Sequence, residues 1–273
     1  MEIKKIIQVA DIHIRNLKRH EEYLDQLNKF IDMCKAIAKP YKKDEVRILI
    51  CGDIIHSKNQ ISNELIVFTS SFLRKLEKVA PVLIYSGNHD LLQNNSTRTD
   101  TLTALFETAQ FKNCKYLDEM LGYESGCIVD NNIIWALYSI HDGHSKPSID
   151  EMDVEGKHVI GLYHGVVIGS TLPNGYVTEN GLGGRAFDIC EVVMAGDIHK
   201  RQEIKIGDTR VVYPGSLIQQ TFGETVSQHG FAVWDVESMS YEFVDVDSDW
   251  GLYDVWVDGI DDIKNDTERL KNF

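Results

Sequence analysis

No run of apolar residues in this 273-residue chain approaches the roughly 18 needed to cross a bilayer. The N-terminus, MEIKKIIQVADIH, passes straight into charged residues and lacks a signal-peptide cleavage pattern. Both absences predict a soluble, cytoplasmic protein with no membrane partner. Cysteine is scarce and scattered: Cys34, Cys51, Cys114, Cys127 and Cys190, with no C-x-x-C pair. That argues against a thiolate zinc site and a disulfide framework, and for reduced, mostly buried thiols. Positive charge is in deficit too, with 28 Lys and Arg against 42 Asp and Glu, a net charge of −14. Bulk electrostatics therefore repel nucleic acid, so a polyanion partner needs local basic loops, bound cations or a second subunit. Internal repeats and low-complexity tracts are also missing. What is present, at 43% hydrophobic, is enough apolar material for one large domain with a small appendage.

The apolar runs are strand-length and rich in Ile and Val: KKIIQVA, EVRILIC, APVLIYS, NIIWALYSI, KHVIGLYH, EVVMA and TRVVYPG. Several are continuous rather than alternating, as expected of strands buried on both faces. Between the first two, Tyr23, Leu27, Phe30, Ile31 and Cys34 recur at helical spacing, and Pro40 stops the helix. A second stripe runs from Ile61 to Val79, with Ser62 as its N-cap. Strand–helix–strand–helix–strand implies a layered α/β fold. A shorter helix is expected over Thr101–Phe106, and LPNGY and GLGG read as loops. Late in the chain two alternating strands meet at Glu237–Ser238 as a hairpin. The tail then reads as one strand, LYDVWVDG, and a helix, DDIKNDTERLKNF. Residues 1–246 are thus expected to form the main domain, and 247–273 the start of a second, incomplete one.

Five of the runs end in polar, metal-competent residues. After the first come Asp11 and His13; after the second, Gly52, Asp53 and His56. The third is followed by Gly87, Asn88, His89 and Asp90, another by His164 and Gly165, and another by Gly196, Asp197 and His199. Ligands of open α/β sheets bind outside the carboxyl ends of strands, so these ends are expected to converge on one edge of the sheet. The glycines permit tight turns and close backbone approach there. An O/N donor set without cysteine suits Mn, Fe, Zn or Mg, and two such ions together clamp a phosphoester. Any one of these motifs alone is weak, since a D-x-H or a lone histidine is commonly structural; the ordered set of five is specific. His20, His144, His158 and His229 are read as solvated or loop histidines, and His141 as a possible neighbour of the site.

The ordered motifs D-x-H, G-D-x-x-H, G-N-H-D, H-G and G-D-x-H resemble the calcineurin-like metallophosphoesterase superfamily. GDIIH, followed later by YPGSLIQQTFGE and HGFAVWDVE, is most similar to the SbcD-type DNA double-strand-break nucleases, with a narrower resemblance to tailed-phage recombination endonuclease subunits. The resemblance covers about residues 4 to 246. It implies two β-sheets flanked by helices and a capping segment. It implies one divalent ion held by Asp11, His13, Asp53 and His199, and a second by Asp53, Asn88, His164 and Asp197. Manganese is the expected ion, with magnesium as the alternative. By the same resemblance His89 and His56 act on the phosphate and Asp90 orients the His89 ring. The implied activity is 3′-to-5′ exonuclease and single-strand endonuclease cleavage of DNA, in a homodimer paired with an SMC-like ABC ATPase.

Two departures stand out. The family usually writes its last motif G-H-x-H, whereas here the first histidine is Asp197, which adds a third ligating carboxylate and favours harder ions. The chain also stops inside the expected cap, which leaves DNA positioning and ATPase docking open. Arg15, Lys18, Arg19, Arg98, Lys200 and Arg201 flank the motifs and are read as contacts to the DNA backbone. Two alternatives stand beside the nuclease: a phosphatase or small-molecule phosphodiesterase of the same superfamily, and a non-catalytic scaffold that retains the fold.

Overall fold

The computed structural model describes residues 1–58, 60–92 and 98–253. Strands β1 (Lys5–Val9), β2 (Val46–Cys51) and β3 (Val82–Tyr85) lie parallel and adjacent, joined by helices α1 (His20–Ala38) and α2 (Asn63–Val79). The Ser62 hydroxyl accepts from the Leu65 amide at 3.2 Å and caps α2 as expected. Helix α3 (Thr101–Ala109) runs one turn past the predicted Phe106. Asp100 caps its start, and Gln110 ends it in a left-handed conformation. It leads into β4 (Cys114–Tyr116) and the single turn α4 (Leu117–Met120).

A second sheet follows: β5 (Gly126–Asp130), β6 (Ile133–Tyr138), β7 (His158–His164), β8 (Val192–Gly196), β9 (Gln202–Ile206) and β10 (Thr209–Tyr213). The hairpin β11 (Gly230–Asp235) and β12 (Ser240–Asp245) returns to the first sheet. The strand orders are β12-β11-β1-β2-β3-β4 and β5-β6-β7-β8-β10-β9. Every long apolar run is a strand. The three strands without a sequence signal, β4, β5 and β9, lie at sheet edges, where each is partly exposed and the apolar pattern fades. From residue 254 on, the expected last strand and helix lie outside the described residues.

The two sheets pack face to face. Ile6, Leu49 and Leu83 of the first meet Trp135, Leu137, Ile160, Leu162 and Met194 of the second. Burying each such side chain contributes about 1.5–3 kcal/mol. Helices α1 and α2 cover the outer face of the first sheet, where Tyr23, Phe30, Phe72 and Leu76 pack. The outer face of the second sheet is covered by the segments 139–157 and 165–191, with Phe187 at their centre. Arg47 on β2 and Asp130 on β5 tie the sheets together through two parallel hydrogen bonds of 2.7 Å.

The functional strand ends come from both sheets, not from one sheet edge as the sequence suggested. β1, β2 and β3 supply Asp11 to Asp90, and β7 and β8 supply His164 to His199. Chain order reveals that a strand ends in a ligand, but pairing decides which sheet it joins. Here the antiparallel β5–β6 pair opens a new sheet. The sheets approach so closely at this end that a Cβ on Gly196 would lie 2.0 Å from the Cys51 carbonyl oxygen. Gly52, at φ +76°, would place one 2.2 Å from His164 Nδ1. Only glycine fits at either position.

Candidate metal centre

Asp11, His13 and Asp53 all adopt left-handed backbone angles (φ 51°, 50° and 53°), and Asp197 has φ 92°. Such conformations cost of order 1–3 kcal/mol each and persist where the surroundings impose them. The cause is local: the Asp11 amide donates to Gly52 O and the His13 amide to Asp53 O, so the chain bends back from β1 onto the loop after β2. The Asp197 amide then donates to the Asp11 carboxylate at 3.0 Å, stitching the second sheet to the first.

The expected ligands converge. Asp11, His13 and His199 offer donor atoms within 4.8 Å of one another, and so do Asp11, Asp53 and His164. The Asp53 Oδ2 atom is 3.4 Å from His13 Nε2 and also 3.4 Å from His164 Nε2, the position of a bridging carboxylate. Asp11 also reaches both groups, a bridging placement that the motifs did not predict. Asn88 Nδ2 donates to Asp197 Oδ1 at 2.8 Å, which leaves the Asn88 carbonyl oxygen as its donor to a cation. Asp197 Oδ1 is 3.9 Å from His164 Nε2.

Hydrogen bonds at the far ring nitrogens set the imidazoles. His164 Nδ1 donates to the Cys51 carbonyl at 2.8 Å, which leaves Nε2 as the atom that faces the carboxylates; it is buried and has no hydrogen-bond partner. His199 Nδ1 donates to Glu224 Oε1 at 2.9 Å, with His199 Nε2 3.0 Å from His13 Nε2. A carboxylate behind a ligating histidine fixes its tautomer and orientation. The motifs did not single out Glu224; the only signal was its place in the YPGSLIQQTFGE segment. It also accepts from Ser216 Oγ and the Gln220 amide.

His56, His89 and His13 form a second imidazole cluster, with the His56 and His89 rings stacked at 4.9 Å. The expectation for Asp90 needs correction. His89 Nδ1 donates to the His56 carbonyl at 2.7 Å. Asp90 instead accepts the backbone amides of Asp53, Ile55 and Gly87 at 2.8, 3.2 and 2.9 Å. It shapes the loops that carry Asp53 and Asn88 and does not orient the His89 ring. Neighbours in a tight turn send their side chains in different directions, so adjacency in sequence was a poor guide.

The electrostatics are those of an acidic nest. Burial pushes the Asp11 carboxyl up to about 7 and also raises Asp197. Burial acts the same way on Asp53, but His164, His13 and the His89 amide outweigh it and hold Asp53 well below the usual range. Burial lowers His164 and His199, yet the surrounding carboxylates win: His164 rises well above its ordinary value and His199 to about 9. His13 falls, mainly through burial. Three packed carboxylates pulling protons onto metal-competent imidazoles call for cationic charge. With the orphaned Nε2 of His164 and an all-O/N donor set, these residues fit two divalent cations.

The basic residues divide. Arg15 Nη1 contacts His56 Nε2 at 3.2 Å and Nη2 donates to the Gln220 carbonyl at 3.3 Å. Arg19 is committed to Glu22 through two 2.6 Å bonds, and Arg201 to Asp245, so neither offers a free charge as expected of a DNA contact. Lys18, Arg98 and Lys200 are exposed without an ion pair among the described residues. Of the remaining histidines, His141 lies behind the Asn88 turn, its Nε2 3.2 Å from Ser86 Oγ. His144 and His229 lie in loops as expected, His144 half-buried with its ring reaching the His164 carbonyl and His229 buried against Ser216. His20 reaches the Arg15 carbonyl, and His158 pairs with Glu191. No described helix is long and apolar enough to cross a membrane.

Comparison with known proteins places this arrangement. The family model described as the calcineurin-like phosphoesterase superfamily domain matches residues 5–239. Protein R555 of Acanthamoeba polyphaga mimivirus is 34% identical over 259 residues, covering 92% of this chain; the chain spans only 18% of that relative's length. Protein 244L of Invertebrate iridescent virus 6 is 25% identical over 231 residues, covering 81% of this chain and 72% of the relative. Among solved structures, hypothetical protein PH1004 of Pyrococcus horikoshii OT3 aligns at 14% identity with a TM-score of 0.44, covering 98% of this chain and 94% of its own.

Proposed function

Because the chain belongs to the calcineurin-like phosphoesterase superfamily, we propose that it is a two-metal phosphodiesterase whose substrate is DNA. The observation that carries the nuclease reading is the placement of the YPGSLIQQTFGE segment. This stretch, which resembles the SbcD-type nucleases, supplies Glu224 to His199 and the Gln220 carbonyl to Arg15. It is built into the metal centre rather than appended to it.

Two divalent ions, manganese by preference, would be held by Asp11, His13, Asp53 and His199 and by Asp53, Asn88, His164 and Asp197. Ions held there would supply Lewis-acid polarisation of the phosphoryl oxygens and a lowered pKa for an attacking water. The chain's own residues do the rest. Asp53 and Asp11 hold the two halves at fixed spacing. His89, anchored through Nδ1 and with no hydrogen bond at Nε2 among the described residues, is suited to give or take a proton at the leaving oxygen. Arg15, held by the Gln220 carbonyl, brings a guanidinium next to His56, suited to a phosphate oxygen. Homodimerisation through α2 and pairing with an SMC-like ATPase are part of the same reading. Exposed Ile66 and Val67 on α2, beside a groove that reaches Thr108 and Ala109, support the former.

The test is a substrate comparison with manganese present. Single-stranded and duplex oligonucleotides are expected to be cut while p-nitrophenyl phosphate is left nearly intact. Preference for the monoester, with DNA uncut, would replace this reading with the phosphatase alternative.

A further inference from the structure

Phe222 is 59% exposed, and no aromatic side chain among the described residues is more so. It occupies a tight turn held from both ends. The Glu224 amide donates to the Thr221 carbonyl at 3.2 Å, closing the turn. Thr221 Oγ1 donates to Glu224 Oε1, and the Gln220 amide to Glu224 Oε2. At one end of the turn Gln220 meets Arg15, which touches His56; at the other Glu224 holds His199. The backbone under Phe222 is therefore fixed to the same hydrogen bonds that orient the centre, while its ring stands in water. Leaving such a ring exposed forfeits the stabilisation that its burial would bring.

Beside the turn lies a cavity of about 90 Å³, lined by Pro173, His199, Lys200, Arg201 and Glu224 among others. Arg201 is neutralised by Asp245, but the Lys200 ammonium has no ion-pair partner among the described residues. An exposed ring on a hydrogen-bonded turn, an ammonium without an ion-pair partner among the described residues beside the cavity that Glu224 also lines, and the centre to which that turn is tied match the two faces of a nucleotide: a flat base and a flanking phosphate. Base–aromatic stacking is worth roughly 1–3 kcal/mol per base and tolerates any base. The base must present an uncovered face, which a base inside a duplex does not.

We propose that Phe222 is a stacking platform for an unpaired nucleobase next to the scissile phosphate, with Lys200 answering the neighbouring phosphate. Phe222 is then a specificity residue that selects nucleotide esters in single-stranded form. This rests on the phosphodiesterase reading for its catalytic readout but not for its binding readout.

Two measurements on the full chain test it. The first is fluorescence titration of a short single-stranded oligonucleotide carrying one 2-aminopurine, whose emission is quenched on stacking. Wild type is expected to quench it. Phe222→Ala should lose the quenching and bind about five-fold more weakly or worse. Phe222→Trp should restore both, and Phe222→Leu, apolar but not aromatic, should not. The second is the ratio of kcat/KM for thymidine 5′-(p-nitrophenyl phosphate) over methyl p-nitrophenyl phosphate. Phe222→Ala should lower that ratio through KM. Unchanged quenching and an unchanged ratio would overturn the proposal, as would Leu performing as well as Trp. If wild type quenches the probe but hydrolyses neither ester, the phosphodiesterase reading fails and the platform stands.

Discussion

Glu224 shows how one residue outside the ligand set governs it. Its carboxylate is buried, accepts from His199, and is itself held by Ser216 and Gln220. Glu224→Gln should therefore lower manganese affinity or activity by about 10–100-fold, measured by metal titration and by DNA cleavage. Asp197 is the opposite case, a residue whose charge works against the metal-free fold. Its carboxyl is raised by burial, with Asp53 adding to the effect, so at neutral pH ionisation is favoured more in the unfolded chain. Asp197→Asn removes that charge while asparagine tolerates the left-handed φ of 92°. The variant should melt higher than wild type in chelator and gain less from manganese; equal melting in chelator would show that the Asp197 carboxyl does not weigh on the metal-free fold. Asp197→His should move metal preference from manganese and magnesium toward zinc. Both aspartates of the two D-I-H motifs were legible as candidate site residues because each follows an apolar run, and the structure brings both into one cluster. Glu224 was not, because its role depends on a turn that brings it back against His199 across the intervening hairpin.

The strands β2 and β5 are joined by Arg47 and Asp130, a pair that spans the two sheets. The guanidinium is almost fully buried, while the carboxylate is partly reached by water. Deleting the acid strands the buried cation, so Asp130→Ala should cost about 3 kcal/mol, whereas Arg47→Met should cost less. Burial raises the Asp130 carboxyl, but the hydrogen bond and charge of Arg47 outweigh it and hold Asp130 below its ordinary value. A carboxyl depressed in the folded state stabilises above its unfolded pKa of about 3.9, and that contribution is lost as pH falls further. The stability difference between wild type and Asp130→Asn, from urea titrations, should thus be constant near neutrality and shrink below about pH 4. At this scale α1, α2 and the buried strands were readable from period and caps, since each buries a long stripe. The edge strands β5 and β9 were not, because a half-exposed strand such as QEIKI alternates too weakly to stand out.

Across the whole molecule, the −14 net charge and the three packed carboxylates of the centre, Asp11, Asp53 and Asp197, act in one direction. Divalent cations that bind only the folded chain add RT ln(1 + [L]/Kd), about 2.7 kcal/mol at a hundred-fold excess over Kd. Manganese should therefore raise the melting temperature and chelator should lower it. Asp53→Ala, lacking the carboxylate that faces both His13 and His164, should show little response. Free manganese with no effect on wild-type melting would argue against the metal centre.

The sequence by itself determined that this is a layered α/β protein with metal-competent O/N side chains at the ends of five buried strands. Strand burial and strand-end chemistry are properties of neighbouring residues, so they can be read in place. Only the tertiary structure decided that the ligands come from two sheets, that Asp90 braces backbone instead of the His89 ring, and that Glu224 stands behind His199. Those relations join residues far apart in the chain, and strand pairing and side-chain direction exist only once the chain has folded.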